Sequence, residues 1–170
     1  VCLQPDSEQK LRDVQGDVVF HCLDVTDQAG LAALSGALEG EAVDLLINNA
    51  ATFAADGPGT LMLPEVEEFM RVMRINAVAP LYVADAFEEH VASSERRLMV
   101  FIGTRSGSIG DNNSGGHYAY RCSKAALNMA VKSLSIDFAA RSITTAVLHP
   151  GSVATETRKG GQISVQQSVS

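Results

Sequence analysis

Four short apolar runs constrain this chain most: Val18–Leu23, Val43–Asn48, Leu98–Gly103 and Thr144–His149. Each is short, is rich in β-branched or aliphatic residues and stops at polar, Gly or Pro residues, so each reads as a buried strand. Between them, apolar residues recur at helical spacing. Leu31, Leu34 and Leu38 punctuate Gln28–Leu38, with Thr26 or Asp27 placed to cap its start. Phe69, Val72, Met73, Asn76, Pro80 and Val83 lie along one side of a helical stretch from about Glu65 to Val91, which Pro80 is expected to kink or interrupt. Leu127, Ala130, Val131, Leu134 and Phe138 stripe a helix running from Tyr118 to about Arg141. Near the start, Val1–Leu3 reads as the tail of a strand and Ser7–Val14 as a helix ended at Gly16. Strands alternating with amphipathic helices build a mostly parallel, doubly wound α/β sheet covered on both faces.

In such sheets ligands bind beyond the carboxyl ends of the strands. The small and polar residues of this chain gather there. Asp24 follows the first run, Asn48–Asn49 the second, Thr104 the third and Pro150–Gly151 the fourth. On the last long helix, Tyr120 and Lys124 are one turn apart on the same face. An ammonium beside a phenol favours the phenolate and draws its pKa down from about 10. A tyrosine so placed can pass a proton to or from a substrate oxygen.

Charge and composition narrow the function classes. The formal net charge of −7 argues against a nucleic-acid or anionic-membrane surface, and no apolar run approaches a membrane span. Cys2, Cys22 and Cys122 form no pair with metal or redox spacing, and His21, His90, His117 and His149 are scattered. These features predict a cytoplasmic protein with reduced thiols and no metal.

Taken in order, Asp24–Val25, Asn48–Asn49–Ala50–Ala51, Asn76, Tyr120-x-x-x-Lys124 and Pro150-Gly151-x-Val153-x-Thr155 resemble the short-chain dehydrogenase/reductase family over nearly the whole chain. Gly107–Ile109 and Gly115–Arg121 resemble its C-factor-like carbonyl reductases. The resemblance implies a Rossmann-like fold, an NADP or NAD cofactor with a slight lean to NADP, and a small carbonyl or alcohol substrate. It implies that Tyr120 is the general acid/base and that Lys124 binds the nicotinamide ribose and tunes the phenol. Asn76 would bend its helix and hold a relay water. Asp24 and Val25 would hold the adenine, Asn49 and Ala50 would line the ribose and pyrophosphate side, and Asn48 would steady the central strands. Pro150, Gly151, Val153 and Thr155 would pack on the nicotinamide. Thr104 stands where the family carries a serine, with Ser106 and Ser108 as fallbacks. A homo-oligomer through the helices around Asn76 and Tyr120 is also implied.

The family's opening strand and Gly-rich phosphate turn find no match, so residues 1–170 are expected to be a partial dinucleotide-binding domain, truncated at both ends. Two other readings follow: a non-catalytic remnant acting as a binding module, and a sugar-nucleotide epimerase or dehydratase of the same fold.

Overall fold

The computed structural model describes residues 16–54, 57, 61–154 and 161–169. The expected strand at Val1–Leu3, the helix at Ser7–Val14 and the site residue Thr155 lie outside them. Three strands, β1 (Leu45–Asn48), β2 (Leu98–Ile102) and β3 (Thr144–Leu148), form a parallel sheet in the order β1-β2-β3. Asn48 pairs with Phe101 and Ile102 with Leu148, so all three strands end at the same edge.

The fourth expected strand is not assigned among the described residues. Val18–Leu23 has no ladder among the described residues, and only Cys22 occupies a bridge position. A strand's hydrogen bonds come from a neighbour, so an apolar β-branched run alone does not make one.

The helices follow the apolar periodicity more closely. Helix α1 (Gln28–Ala37) is capped by Asp27, whose side chain accepts from Ala29 N–H. Leu31 is its buried residue. The long stretch divides into α2 (Val66–Met73), a π-helical turn (Arg74–Val78), α3 (Ala79–Ala86) and α4 (Glu88–Ala92). The irregularity expected at Pro80 falls on the turn before it. Pro80 has no N–H for the carbonyl of Asn76, its ordinary helical partner, and its ring crowds that carbonyl. The chain widens, and Ala79 N–H bonds back to Arg74.

Helix α5 (Tyr118–Asp137) packs against β2, β3 and the π turn and continues into a short 3-10 turn, Phe138–Arg141. Met99 and Phe101 of β2, Leu127, Val131 and Phe138 of the α5 stripe, and Ala84, Val91 and Ile143 form the core. Burying such side chains contributes roughly 1.5–3 kcal/mol each. A last short helix, α6 (Val165–Val169), opens on a reciprocal cap in which Gln167 N–H donates to Ser164 Oγ and Ser164 N–H donates to Gln167 Oε1.

Candidate active site

The π turn, α5 and the loop after β1 are cross-braced around one amide. Asn76 is fully buried. Its Oδ1 accepts from Thr52 N–H at 2.8 Å, and its Nδ2 donates to Thr52 C=O at 2.9 Å and to Ser123 Oγ at 3.0 Å. Ser123, also buried, donates in turn to the Tyr120 carbonyl at 2.8 Å. One side chain therefore ties the loop after β1 to the turn of α5 that carries Tyr120. Both N–H groups of the amide are engaged, so a relay water has no donor left on this side chain.

Lys124 is 3% exposed, and its Nζ donates to Ile102 C=O at 2.8 Å. The same ammonium lies 5.9 Å from the centroid of the Tyr120 ring. Burial pulls its pKa below the ordinary 10.5. The approach of β2's end to α5 depends on Gly107, where a Cβ would stand 2.9 Å from the Lys124 carbonyl carbon. Asn128 Nδ2 donates to Gly107 C=O at 3.3 Å and adds a second tie.

Thr104 caps the 3-10 turn Arg105–Gly107 that follows β2. Its Oγ1 accepts from Ser106 N–H at 3.3 Å, which leaves the hydroxyl proton without an acceptor among the described residues. Ser108 Oγ instead accepts from Asp111 N–H, within its own loop. Gly115, Gly116 and His117 all take left-handed backbone conformations just before α5. Arg121 staples this entry, donating to Gly116 C=O at 3.1 Å and Ser114 Oγ at 2.8 Å.

The adenine-side residues stand apart. Asp24 is exposed, and its Oδ1 accepts from both the N–H and the hydroxyl of Thr26 at 2.8 Å. Those bonds hold its carboxyl below the usual range, the backbone N–H contributing most. Val25, Asn48, Asn49 and Ala50 line an apolar groove of about 360 Å³ between residues 21–25 and β1. Tyr120, Lys124 and Thr104 are not part of that groove. Asn48 Nδ2 is buried with no partner among the described residues.

Pro150–Val153 leaves β3 at the same sheet edge as Thr104 leaves β2. Gly151 adopts φ +86°, a left-handed conformation that suits glycine, and a Cβ there would meet Ile163 Cδ1 at 2.5 Å. Val153 bridges Ile163 in parallel, and Pro150 C=O accepts from Ser168 Oγ at 2.6 Å.

Ser123, Thr52, Arg71 and Phe53 escaped the sequence reading, and Arg121 entered it only within the Gly115–Arg121 segment. Ser123 had a detectable signal, a small polar residue inside the Tyr120–Lys124 turn. Among the described residues no His, Cys, Asp and Glu group could hold a metal, and no helix is long and apolar enough to cross a membrane.

The family model "short chain dehydrogenase" matches residues 5–163. C-signal of Myxococcus xanthus is 40% identical over 116 residues, covering 67% of this chain and 68% of that protein. A carbonyl reductase from chicken fatty liver, solved with NADPH bound, superposes with a TM-score of 0.85 at 29% identity, covering 99% of this chain and 75% of that one. Carbonyl reductase Sniffer of D. melanogaster gives a TM-score of 0.88 at 26% identity, covering 98% and 74%. The matches span about half to two thirds of the length of the curated relatives.

Proposed function

This chain belongs to the short-chain dehydrogenase family, and from that premise we propose that it serves hydride transfer between NADP or NAD and a small carbonyl or alcohol. The observation that carries the reading is the buried Lys124 ammonium 5.9 Å from the Tyr120 ring, on a helix turn braced by Asn76. The nicotinamide supplies or accepts the hydride when bound. In reduction, the Tyr120 and Thr104 hydroxyls donate to the carbonyl oxygen. Negative charge grows there, and Tyr120 hands over its proton. Lys124 favours the phenolate left behind. With the Asn76 side chain occupied, a relay water would be held by the Asn76 peptide carbonyl, whose ordinary helical donor is replaced by Pro80.

The residues present fit the two ends of the cofactor. The second carboxylate oxygen of Asp24 and the Val25 backbone suit the adenine, and Lys124 suits the nicotinamide ribose. Asn49 and Ala50 would line the ribose and pyrophosphate side, and Pro150, Gly151 and Val153 would face the nicotinamide. None of the described residues forms a Gly-rich turn for the pyrophosphate. NADP is favoured over NAD by the NADPH bound in the chicken relative. Exposed Val66, Met70, Val78 and Tyr82 on α2–α3 and Met129 and Ile136 on α5 support a homo-oligomer through these helices.

The test is NADPH oxidation by the 170-residue chain with a panel of aromatic and aliphatic aldehydes and ketones. Tyr120→Phe is expected to lower turnover on the order of 10²–10⁴-fold with its thermal unfolding unchanged. Near-normal turnover in that variant would remove Tyr120 from the reaction. A second reading, a binding module without catalysis, is favoured by β1, which pairs on one side only among the described residues and whose Leu45 and Ile47 are exposed beside the apolar groove. Failure of the chain to bind NADPH or NADH in a fluorescence titration would select it.

A further inference from the structure

Phe53 has no part in the scheme above, and its side chain meets the site at its centre. The ring stacks on Tyr120 with centroids 4.0 Å apart and planes 22° from parallel. Phe53 is 55% exposed, so burial alone does not hold it there. Its backbone is pinned from two sides. The preceding residue, Thr52, bonds through both its N–H and its C=O to Asn76. Phe53 C=O accepts from Arg71 Nη2 at 3.2 Å, and Arg71 is itself steadied by Glu68 at 2.7 Å and by Thr52 Oγ1 at 3.0 Å. Asn76 also reaches Ser123 and through it the Tyr120 carbonyl. A single buried amide therefore sets the backbone on both sides of the stacked pair.

A phenol O–H lies in the plane of its ring, so the ring plane and the χ1 rotamer together limit the proton to two directions. A flat ring on one face restrains both. Resting on the hydride-transfer reading, we propose that Phe53 is a positioning residue. It holds the Tyr120 phenol in the rotamer and plane that aim its O–H at the bound carbonyl. The loop after β1 thereby becomes part of the proton-transfer geometry without touching the reacting atoms.

The chain has three tyrosines and no tryptophan, which makes the role optically testable. The near-UV circular dichroism of Tyr120 is the difference between the unmodified chain and Tyr120→Phe. Phe53→Leu keeps an apolar side chain and removes the stack; Phe53→Tyr keeps the stack. Phe53→Leu is expected to lose most of the Tyr120 signal with unchanged far-UV spectrum and thermal midpoint. Its kcat for carbonyl reduction by NADPH falls about tenfold while both KM values stay within about twofold, because orientation and not binding is lost. Phe53→Tyr restores kcat. An unaltered Tyr120 signal or kcat in Phe53→Leu, or a change confined to KM, overturns the positioning role. Absence of turnover in the unmodified chain overturns the hydride-transfer reading, and with it the aim assigned to the ring.

Discussion

Asn76 and Asp24 mark two regions of this molecule that are built in different ways. Around Asn76, partners come from distant elements: the loop after β1, the π turn and α5 meet through buried hydrogen bonds. Around Asp24 the bonds are local, from Thr26 only two residues on, and the side chain is exposed. The first arrangement preorganises chemistry, because groups already desolvated and fixed need little rearrangement when charge develops. The second is a turn whose other carboxylate oxygen has no partner among the described residues, suited to recognition at the surface. Cross-bracing also makes the first region expensive to disturb, whereas the second can change with little cost to the fold.

Substitutions can sharpen or break that contrast. The largest stability effect is expected for Asn76→Leu, which strands Thr52 N–H and C=O and removes the donor to Ser123 Oγ. A loss of about 2–4 kcal/mol in urea unfolding is expected from leaving buried polar groups unpaired. A cost no greater than that of Asp24→Asn would erase the distinction. Gly107→Ala comes next, because the new methyl meets the Lys124 backbone at 2.9 Å. Overpacking there costs about 1–3 kcal/mol, read from the same unfolding curves, and turnover falls as Lys124 shifts.

Lys124→Met gives a smaller stability effect with a diagnostic sign. Burial lowers the Lys124 pKa in the folded chain below 10.5, so unfolding takes up a proton between the lowered value and 10.5. Stability from this group therefore rises with pH across that window. Lys124→Met should flatten the rise in a denaturation series at increasing pH, and a steeper rise would contradict the burial argument. The smallest effect belongs to Asp24→Asn. Unfolding should be unchanged, while NADPH binding weakens about threefold, the net worth of one hydrogen bond. Because Thr26 keeps the Asp24 carboxyl below its usual range, this group adds no pH dependence to binding between about pH 5 and 8.

Much of the fold was legible because helices carry their own periodicity. The Leu127–Val131–Phe138 stripe is a local pattern that the structure has where the spacing placed it, and of the two candidate caps, Thr26 and Asp27, the structure uses Asp27. Val18–Leu23 shows the limit, since an apolar run says nothing about whether a neighbour will supply the ladder. In the site, Tyr120 and Lys124 could be paired from sequence because one helix turn separates them. Phe53 and Arg71 could not be linked to them, since no periodic mark connects residues on different elements. Asn76 could be singled out by its position, yet its side-chain bonds to Thr52 and Ser123 could not be foreseen.

The sequence by itself determined the α/β class, the segments that become β1, β2 and β3, the helix faces and the Tyr120–Lys124 pair. All of these rest on interactions within a few residues or on burial patterns that a single segment records. Tertiary structure alone decided that Asn76 braces two elements, that Lys124 bonds to the end of β2, and that Phe53 lies on the phenol of Tyr120. Those contacts join groups far apart in the chain, and hydrogen bonding and stacking depend on distances and angles that only the packed backbone sets.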